Sequence, residues 1–406
     1  MAVVTHMKLA NLEMNIIAGC NPYDLSRAPD KIFSKNSISF LAALSKVLLQ
    51  EKNNRNYPDI ISFAYWCRNA NLKAIENSLN DERRIGRGLV LHIAPTNVPI
   101  NFAFSLAFGL LSGNSNIVRV SENIHDQSEI VGKAIERLLS DSEHSKMRER
   151  IALVRYQRES KATATFSSVA DARILWGGDQ TIKEMRAIPT PARCVDVCFS
   201  DRYSFCTIDA SSLERANQKS LNSLVLGFYN DVFLFDQNAC SSPHLVIWQG
   251  TADEVSRARK KFWEHLELLI ERKYEFQAIH AMDKFSLLCR SAIEIDGACV
   301  VDGGNNLLRR VFLSKVPENI DEFRGQFGLF YEISEEDLSC ISHIVNDKYQ
   351  TLTYYGVDPR ELATYVKSLG LRGIDRIVPI GQALNIGIVW DGYDTVSMLS
   401  RVFEWH

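Results

Sequence analysis

The sequence predicts an α/β protein of two lobes, each built on an open, mostly parallel sheet. Three observations lead there. Short apolar runs of strand type alternate with helical patterns from residue 86 to about residue 180, the spacing that β-α-β units require. The same alternation returns, less regularly, in the second half. The chain of 406 residues also exceeds what one hydrophobic core usually organises.

In chain order, residues 1–80 lean towards helix, with Leu41, Leu44, Val47 and Leu48 at helical spacing before an Asn-rich turn at 53–56. Gly86-Arg-Gly88 introduces the first strand, Leu89–Ile93. The apolar stretch Phe102–Leu111, closed by Ser112-Gly113-Asn114, reads as a buried helix with a glycine terminator. Asn116–Val120, Ile151–Tyr156 and Ala172–Trp176 are further strands, and 126–140 is an amphipathic helix. Beyond these, Val232–Phe235 and Leu245–Trp248 read as strands, followed by a long helix over 252–274. The expected division is a helical N-terminal segment at 1–80, a first lobe at 81–205, a second lobe at 206–385 and a C-terminal return segment at 386–406.

Hydrophobic residues make up 46 % and charged residues 23 %, with a formal net charge of −3. That balance gives no reason to expect nucleic acid or an anionic membrane surface as partner. No window approaches the roughly 18–20 apolar residues of a membrane span. Met1–Cys20 carries one Lys and includes Asn11, Glu13 and Asn15, a poor fit to a secretory signal. The nine cysteines lack a paired spacing pattern, which argues for a reducing compartment and a cytoplasmic protein. Cys194 and Cys198 have no second Cys/His pair with zinc-ligand spacing, so no metal is expected.

In open α/β sheets ligands gather at the carboxyl ends of strands. Three ends carry suggestive residues: Ala94, Pro95, Thr96 and Asn97 after the first strand; Arg119, Ser121 and Glu122 after the second; Trp176, Gly177, Gly178 and Asp179 after a later one. Arg119 offers a cation to a ribose or phosphate oxygen, Glu122 an acceptor to ribose hydroxyls, and the glycines a close backbone approach. Each is equally an ordinary turn, and the G-x-G-x-x-G fingerprint of a plain dinucleotide fold is missing from these ends.

Gln237-Asn-Ala-Cys240-Ser-Ser-Pro243 is a small polar loop between two apolar runs. A thiolate there could accept an acyl group, because a thioester both forms and leaves readily. The plainer reading is a buried cysteine packed as a small hydrophobe. The adduct's oxyanion would need donors: the Cys240 backbone N–H is one and the Asn97 amide a second, although Asn97 is also a natural turn residue. His244, at or near a strand start, is a weak candidate for a general base.

Taken together and in this order, these segments resemble the aldehyde dehydrogenase superfamily, and within it the acyl-CoA reductase (LuxC-type) family. Ala94–Pro99 is similar to the P-W-N-F-P turn, which puts Asn97 at the oxyanion Asn. Gly113-Asn-Ser-Asn-Ile-Val-Arg-Val-Ser-Glu122 is similar to G-N-x-x-x-x-K-P-[SA]-E, and Trp176-Gly-Gly-Asp179 to F-T-G-S. Gln237-Asn-Ala-Cys240 matches G-Q-x-C, and Gln326-Phe327-Gly328 stands where the superfamily has E-x-F-G beside the nicotinamide ribose. Tyr349–Thr353, Arg372–Gly381 and Trp390–Asp394 resemble the reductase family's C-terminal signature.

The resemblance implies an aldehyde-dehydrogenase-like fold with a cofactor-binding and a catalytic lobe. It implies NADPH as cofactor, with NADH as the alternative, and reduction of an acyl thioester to an aldehyde through a thioester on Cys240. One departure bears on the direction of reaction. Hydrolytic members carry a Glu in an E-L-G-G-K segment, and the corresponding Val197–Ser204 stretch has none. Without a positioned base, water attacks an acyl-enzyme poorly. The implied partners are acyl-CoA, or an acyl group delivered by an acyl-activating (acyl-protein synthetase-like) enzyme, with the chain as a homo-oligomer. Two other readings stay open: an NAD(P)-dependent aldehyde dehydrogenase working oxidatively, and a non-catalytic scaffold that carries acyl groups.

Overall fold

The computed structural model describes residues 13–79, 81–301 and 305–405; residues 1–12 of the expected N-terminal helical segment, and residue 80, lie outside them. The chain forms two compact units, Met1–Ser200 with Ile388–His406, and Asp201–Gly387.

The first unit is a six-stranded sheet with helices on it. Strand β1 (Asn15–Gly19) is followed by helices α1 (Lys35–Gln50), α2 (Pro58–Trp66) and α3 (Asn69–Leu79). Then come β2 (Arg84–Gly86), β3 (Leu89–Ile93), α4 (Asn101–Leu111), β4 (Ser115–Arg119), α5 (Asp126–Leu139), β5 (Ile151–Arg155), α6 (Ala162–Ser167), β6 (Ala172–Trp176), α7 (Asp179–Arg186) and β7 (Val195–Phe199). The spatial order is β1-β5-β4-β3-β6-β7. Strands β3 to β7 run parallel and β1 closes the edge antiparallel to β5. The strand order therefore reverses beside β3, where a parallel sheet opens a crevice at its carboxyl edge.

Burial explains why these elements were readable. Every residue of β3, β6 and α4 is buried, so each shows as a predominantly apolar run with few polar residues in it. The expected terminator of α4 is present: Gly113 has φ +81°, and a Cβ there would come within 2.1 Å of the Asp30 carbonyl oxygen. The N-terminal helices pack on this unit through aromatic edges, with Phe63 and Phe104 ring centroids 5.0 Å apart and Trp66 5.9 Å from Phe108. The C-terminal return segment belongs here too. Its strand Ser400–Val402 pairs antiparallel with β2, and the Asn114 amide donates to the Leu399 carbonyl at 2.9 Å.

The second unit opens with β8 (Tyr203–Asp209), so the boundary expected at 205/206 falls inside a strand and the compact unit starts at Asp201. It continues with α8 (Ala210–Arg215), α9 (Gln218–Phe233), β9 (Pro243–Gln249), α10 (Ala252–Lys273), α11 (Ala278–Glu294), β10 (Ala298–Val301), β11 (Arg309–Leu313), β12 (Leu329–Glu335), α12 (Ile341–Ile344), β13 (Tyr349–Tyr355), α13 (Pro359–Ser368) and β14 (Arg376–Pro379). The sheet order is β10-β11-β12-β9-β8-β13-β14, parallel except for the β10 edge.

The strand expected at Val232–Phe235 is the end of α9 and its exit turn. Four apolar residues in a row are compatible with either element. The helix wins because Leu221, Leu224, Val225, Phe228 and Val232 form one buried helical face.

A buried carboxylate organises the far side of this sheet. Glu332 on β12 is fully buried, and it accepts from the indole N–H groups of Trp248 (3.0 Å) and Trp263 (2.9 Å) and from the Arg259 guanidinium (2.6 and 3.1 Å). Removing the acceptor while leaving the donors is the costly direction. Glu332→Ala is expected to destabilise the chain by about 3–5 kcal/mol, read as a lower urea midpoint for the unfolding transition that includes this unit.

Among the described residues no helix is long and apolar enough to cross a membrane, and no group of three or more His, Cys, Asp or Glu side chains could hold a metal ion.

Candidate functional site

Because β3, β4 and β6 are adjacent and parallel, their carboxyl ends share one edge of the first sheet. The topology thus gathers Ala94–Asn97, Arg119–Glu122 and Trp176–Asp179 along that edge. Ala94 is buried, Pro95 half-buried, and Thr96 and Asn97 are exposed in the turn that leads to α4. The turn is held by its backbone: the Ala94 N–H donates to the Arg119 carbonyl at 3.1 Å and the Asn101 N–H to the Val98 carbonyl at 3.0 Å.

Arg119 and Glu122 meet each other at 2.6 Å, with the guanidinium also donating to the Tyr156 carbonyl. The arginine is largely covered and the carboxylate is open to solvent. Ser121 is buried, and its Oγ accepts from the Asn123 N–H at 3.2 Å. Trp176 stacks on Phe199 of the neighbouring strand at 3.9 Å. Gly178 caps α7 with nothing within 4 Å of the position a Cβ would take, and Asp179 starts that helix in solvent.

Sequence reasoning missed what steadies Trp176. Its indole N–H donates to Ser105 Oγ at 3.2 Å; Ser105 meets His92 Nδ1 at 2.8 Å, and His92 Nε2 meets Asn116 Oδ1 at 3.0 Å. Burial pushes His92 down to about 4, so at neutral pH it is an uncharged link in a hydrogen-bonded chain.

In the second unit the thiol loop joins α9 to β9. Asp236 (φ +52°) and Gln237 (φ +63°) both take the left-handed conformation, which turns the chain sharply off the helix. Such residues persist where their surroundings hold them, and here the holds are many. The Gln237 N–H donates to the Val232 carbonyl at 2.7 Å. Its side-chain amide donates to the Pro243 and Leu329 carbonyls (3.1 and 3.0 Å) and accepts from the Gly328 N–H (3.1 Å). Ser204 Oγ donates to the Cys240 carbonyl at 2.7 Å, and Ser242 Oγ to the Asp231 carbonyl at 2.6 Å. Cys240 itself is half-buried.

Gln237 thereby ties the thiol loop to the segment carrying Phe327. The Phe327 N–H also donates to the Asp236 carbonyl at 3.1 Å, and its ring stacks face to face on His280 at 4.0 Å.

The other cysteines contrast with Cys240. Burial drives the thiols of Cys67 and Cys206 far up, raises those of Cys194 and Cys198, and pushes Cys340 to about 12. Cys289 and Cys299 are exposed. Cys240 has a cation for a neighbour. The Arg324 guanidinium hydrogen-bonds to the Cys240 side chain and to Asp201, and these two partners raise its own pKa.

His244 is not a base for this thiol. It is fully buried, bonded through Nδ1 to the Gly325 carbonyl at 2.9 Å, and stacked on Tyr203 at 5.2 Å. Desolvation, with Arg324 nearby, holds its pKa well below the ordinary value.

Asp231, near the end of α9, gives this loop a pH dependence. Its carboxylate accepts from the Gly381 and Ala383 N–H groups at 2.6 and 2.9 Å, yet burial still pushes its pKa up to about 7. The unfolded carboxyl titrates near about 3.9. The folded chain therefore holds a proton that the unfolded chain releases in that window, and the stability present below it is lost as pH rises towards 7. Melting temperatures taken between pH 4 and 7.5 should show a shallower decline for Asp231→Asn than for the parent chain.

Known proteins share this fold and family. The chain superposes on lactaldehyde dehydrogenase from Escherichia coli with a TM-score of 0.61 at 13 % identity, covering 91 % of this chain and 85 % of that one. For an aldehyde dehydrogenase from Physcomitrella patens the TM-score is 0.64 at 11 % identity, over 90 % and 84 % of the two chains. The fold is that of the aldehyde dehydrogenases. Residues 33–272 match the acyl-CoA reductase (LuxC) family, and the chain belongs to that family. Among curated proteins it is similar to the long-chain acyl-protein thioester reductase of Photorhabdus laumondii, 23 % identical over 332 residues, which cover 78 % of this chain and 62 % of that protein. The protein of the same description from Vibrio harveyi is 23 % identical over 329 residues, 79 % and 64 % of the two chains. The chain thus spans somewhat under two thirds of the length of these relatives.

Proposed function

We propose that this protein reduces an acyl thioester, carried by CoA or by a partner protein, to the aldehyde by way of a thioester on Cys240. The observation that supports it most directly is the thiol loop: a half-buried cysteine on a backbone fixed by Gln237, Ser204 and Ser242, with a cation beside the sulfur. Pre-organisation of this kind keeps a nucleophile at one position instead of sampling many. The family, and the thioester reductase activity of the curated relatives, point the same way.

In this reading the Cys240 sulfur attacks the acyl carbonyl and the Cys240 N–H donates to the oxyanion. The Asn97 amide is the second donor, a role drawn from its place in the Pro-Thr-Asn-Val-Pro turn. The Val197–Ser204 stretch has no Glu to act as a base, and its Asp201 is paired with Arg324, so hydrolysis of the acyl-enzyme is disfavoured. The acyl group then survives for reduction.

The carboxyl edge of β3, β4 and β6 fits a dinucleotide, with open space at Gly178 for a close backbone approach and Glu122 exposed for ribose hydroxyls. A reduced nicotinamide bound there would supply the hydride. Ala94, Pro95, Thr96, Arg119, Ser121, Glu122, Trp176, Gly177, Gly178, Asp179 and, in the second unit, Phe327 are its proposed contacts. NADPH is the first choice by family resemblance. NADH is the alternative, since a 2′-phosphate would have to draw Arg119 away from Glu122; fluorescence titration with each separates them. An acyl-activating partner enzyme, a homo-oligomer and a cytoplasmic location complete the proposal.

Mass spectrometry of the Cys240 peptide after incubation with acyl-CoAs of graded length tests the central step. An acyl mass on Cys240 is the expected result, and its absence at every chain length sinks the reading. Aldehyde supplied with NAD(P)+ should yield no free acid in the absence of CoA, whereas acid formation would favour the oxidative reading.

A further inference from the structure

We propose that Arg324 is a catalytic residue, a guanidinium that holds the Cys240 sulfur as the thiolate and makes a general base unnecessary for acyl transfer. The proposal rests on the acyl-transfer reading above and adds to it the group that activates the nucleophile.

The topology of the second unit supplies the first argument. Strands β12, β9 and β8 are adjacent and parallel, in that order. Residues just before each strand therefore meet at one edge, although they are far apart in sequence. Asp201 precedes β8, Cys240 precedes β9, and Arg324 precedes β12. The Arg324 guanidinium bonds to the Asp201 carboxylate and to the Cys240 side chain.

The second argument is how firmly the three are held. Gly325, next to Arg324, receives the His244 Nδ1 bond at its carbonyl, and a Cβ on it would come within 1.8 Å of the Leu329 carbonyl oxygen. Ser204, three residues after Asp201, holds the Cys240 carbonyl. These contacts fix the backbone on both sides of the pair, and the Asp201 carboxylate anchors the guanidinium itself.

The charged and titratable groups around the sulfur leave Arg324 as the activator. His244 is neutral, as argued above, and cannot take the proton. Arg202 pairs with Asp375, and Asp236 accepts from the Tyr274 hydroxyl at 2.6 Å. Asp201 would oppose a thiolate if it stood alone, but its charge is met by Arg324. One guanidinium, with five donors in a fixed fork, can serve a carboxylate and a thiolate together.

In the chemical step the thiol proton has already gone to solvent. The thiolate attacks the acyl carbonyl carbon, a C–S bond forms to Cys240, and the C–S bond to the donor breaks. The donor leaves as a thiolate with that electron pair, and nothing is oxidised or reduced.

The test needs no acyl substrate. The full-length protein is alkylated with iodoacetamide across pH, and modification of the Cys240 peptide is followed by mass spectrometry, with the other cysteine peptides as reference. The Cys240 rate should titrate with a midpoint clearly below about 8.5, the free-cysteine value. Arg324→Met should raise the midpoint by a unit or more, and Arg324→Lys should fall between. A parent-chain midpoint at or above the free-cysteine value overturns the proposal without recourse to any variant. So does an unchanged midpoint in both variants. An Arg324-dependent midpoint with no acyl mass on Cys240 from any acyl-CoA leaves the activation standing and removes the acyl-transfer reading; acylation with an unshifted midpoint does the reverse.

Discussion

Replacing Cys240 with alanine is expected to abolish covalent labelling by radiolabelled acyl-CoA and to cut aldehyde formation by on the order of 10⁴-fold or more, as removal of an enzyme nucleophile does. The substitution removes one sulfur and little else. The loop around it is held by the Gln237 side chain, by Ser204 on the Cys240 carbonyl and by Ser242 on the Asp231 carbonyl, none of which uses the thiol. Arg324 keeps Asp201 as its partner. The variant should therefore fold, with a stability change within about 1 kcal/mol, as is usual away from packed cores. That combination, a large loss of activity with an intact melting curve, is the signature of a reacting group. Label retained on the Cys240→Ala chain would place the acyl acceptor at another side chain.

Much of the first unit was legible in the sequence because its central elements are buried all round. Leu89–Ile93, Ala172–Trp176 and the helix ending at Leu111 each show as a mostly apolar run, broken only by His92, Arg173 and Ser105 with Asn101, and followed by turn residues. The C-terminal half of α9 was not, because Val232–Phe235 presents four apolar residues in a row where periodicity cannot choose between strand and helix. Cys240 is singled out by its motif and Asn97 by its turn, and the structure adds the setting of each, a half-buried thiol and an exposed amide.

Arg324 and Asp201 were invisible as partners of the thiol. Nothing local distinguishes either residue, and only the spatial order β12-β9-β8 brings the segments before those strands together. The one available signal was a charge beside the Gln326-Phe-Gly328 motif, and it carries no information on which strand will be its neighbour. The chain Trp176–Ser105–His92–Asn116 was hidden for the same reason: four ordinary residues, on three strands and a helix, become a unit only when the sheet forms. Strand order is a property of the whole sheet, so side-chain constellations that depend on it surface last.

Asn97→Ala is expected to lower kcat by about 10²–10³-fold, the usual cost of one lost oxyanion donor, while the acyl-CoA concentration for half-maximal rate moves little. The reason for the split is where the donor acts. A neutral amide offers little to a ground-state carbonyl and more to the negative oxygen that develops during attack, so its loss appears in the rate more than in binding. Asn97 is exposed, and its turn is held by the Ala94 and Asn101 backbone N–H groups, not by the Asn97 side chain. Stability should accordingly change little. A residue that merely made the turn would behave in the opposite way, lowering the melting temperature of the first unit and sparing kcat. Steady-state kinetics and a thermal melt on the same variant therefore decide between the two roles. A kcat within a few-fold of the parent chain would remove Asn97 from the reaction and leave the Cys240 N–H to meet the oxyanion with some other donor.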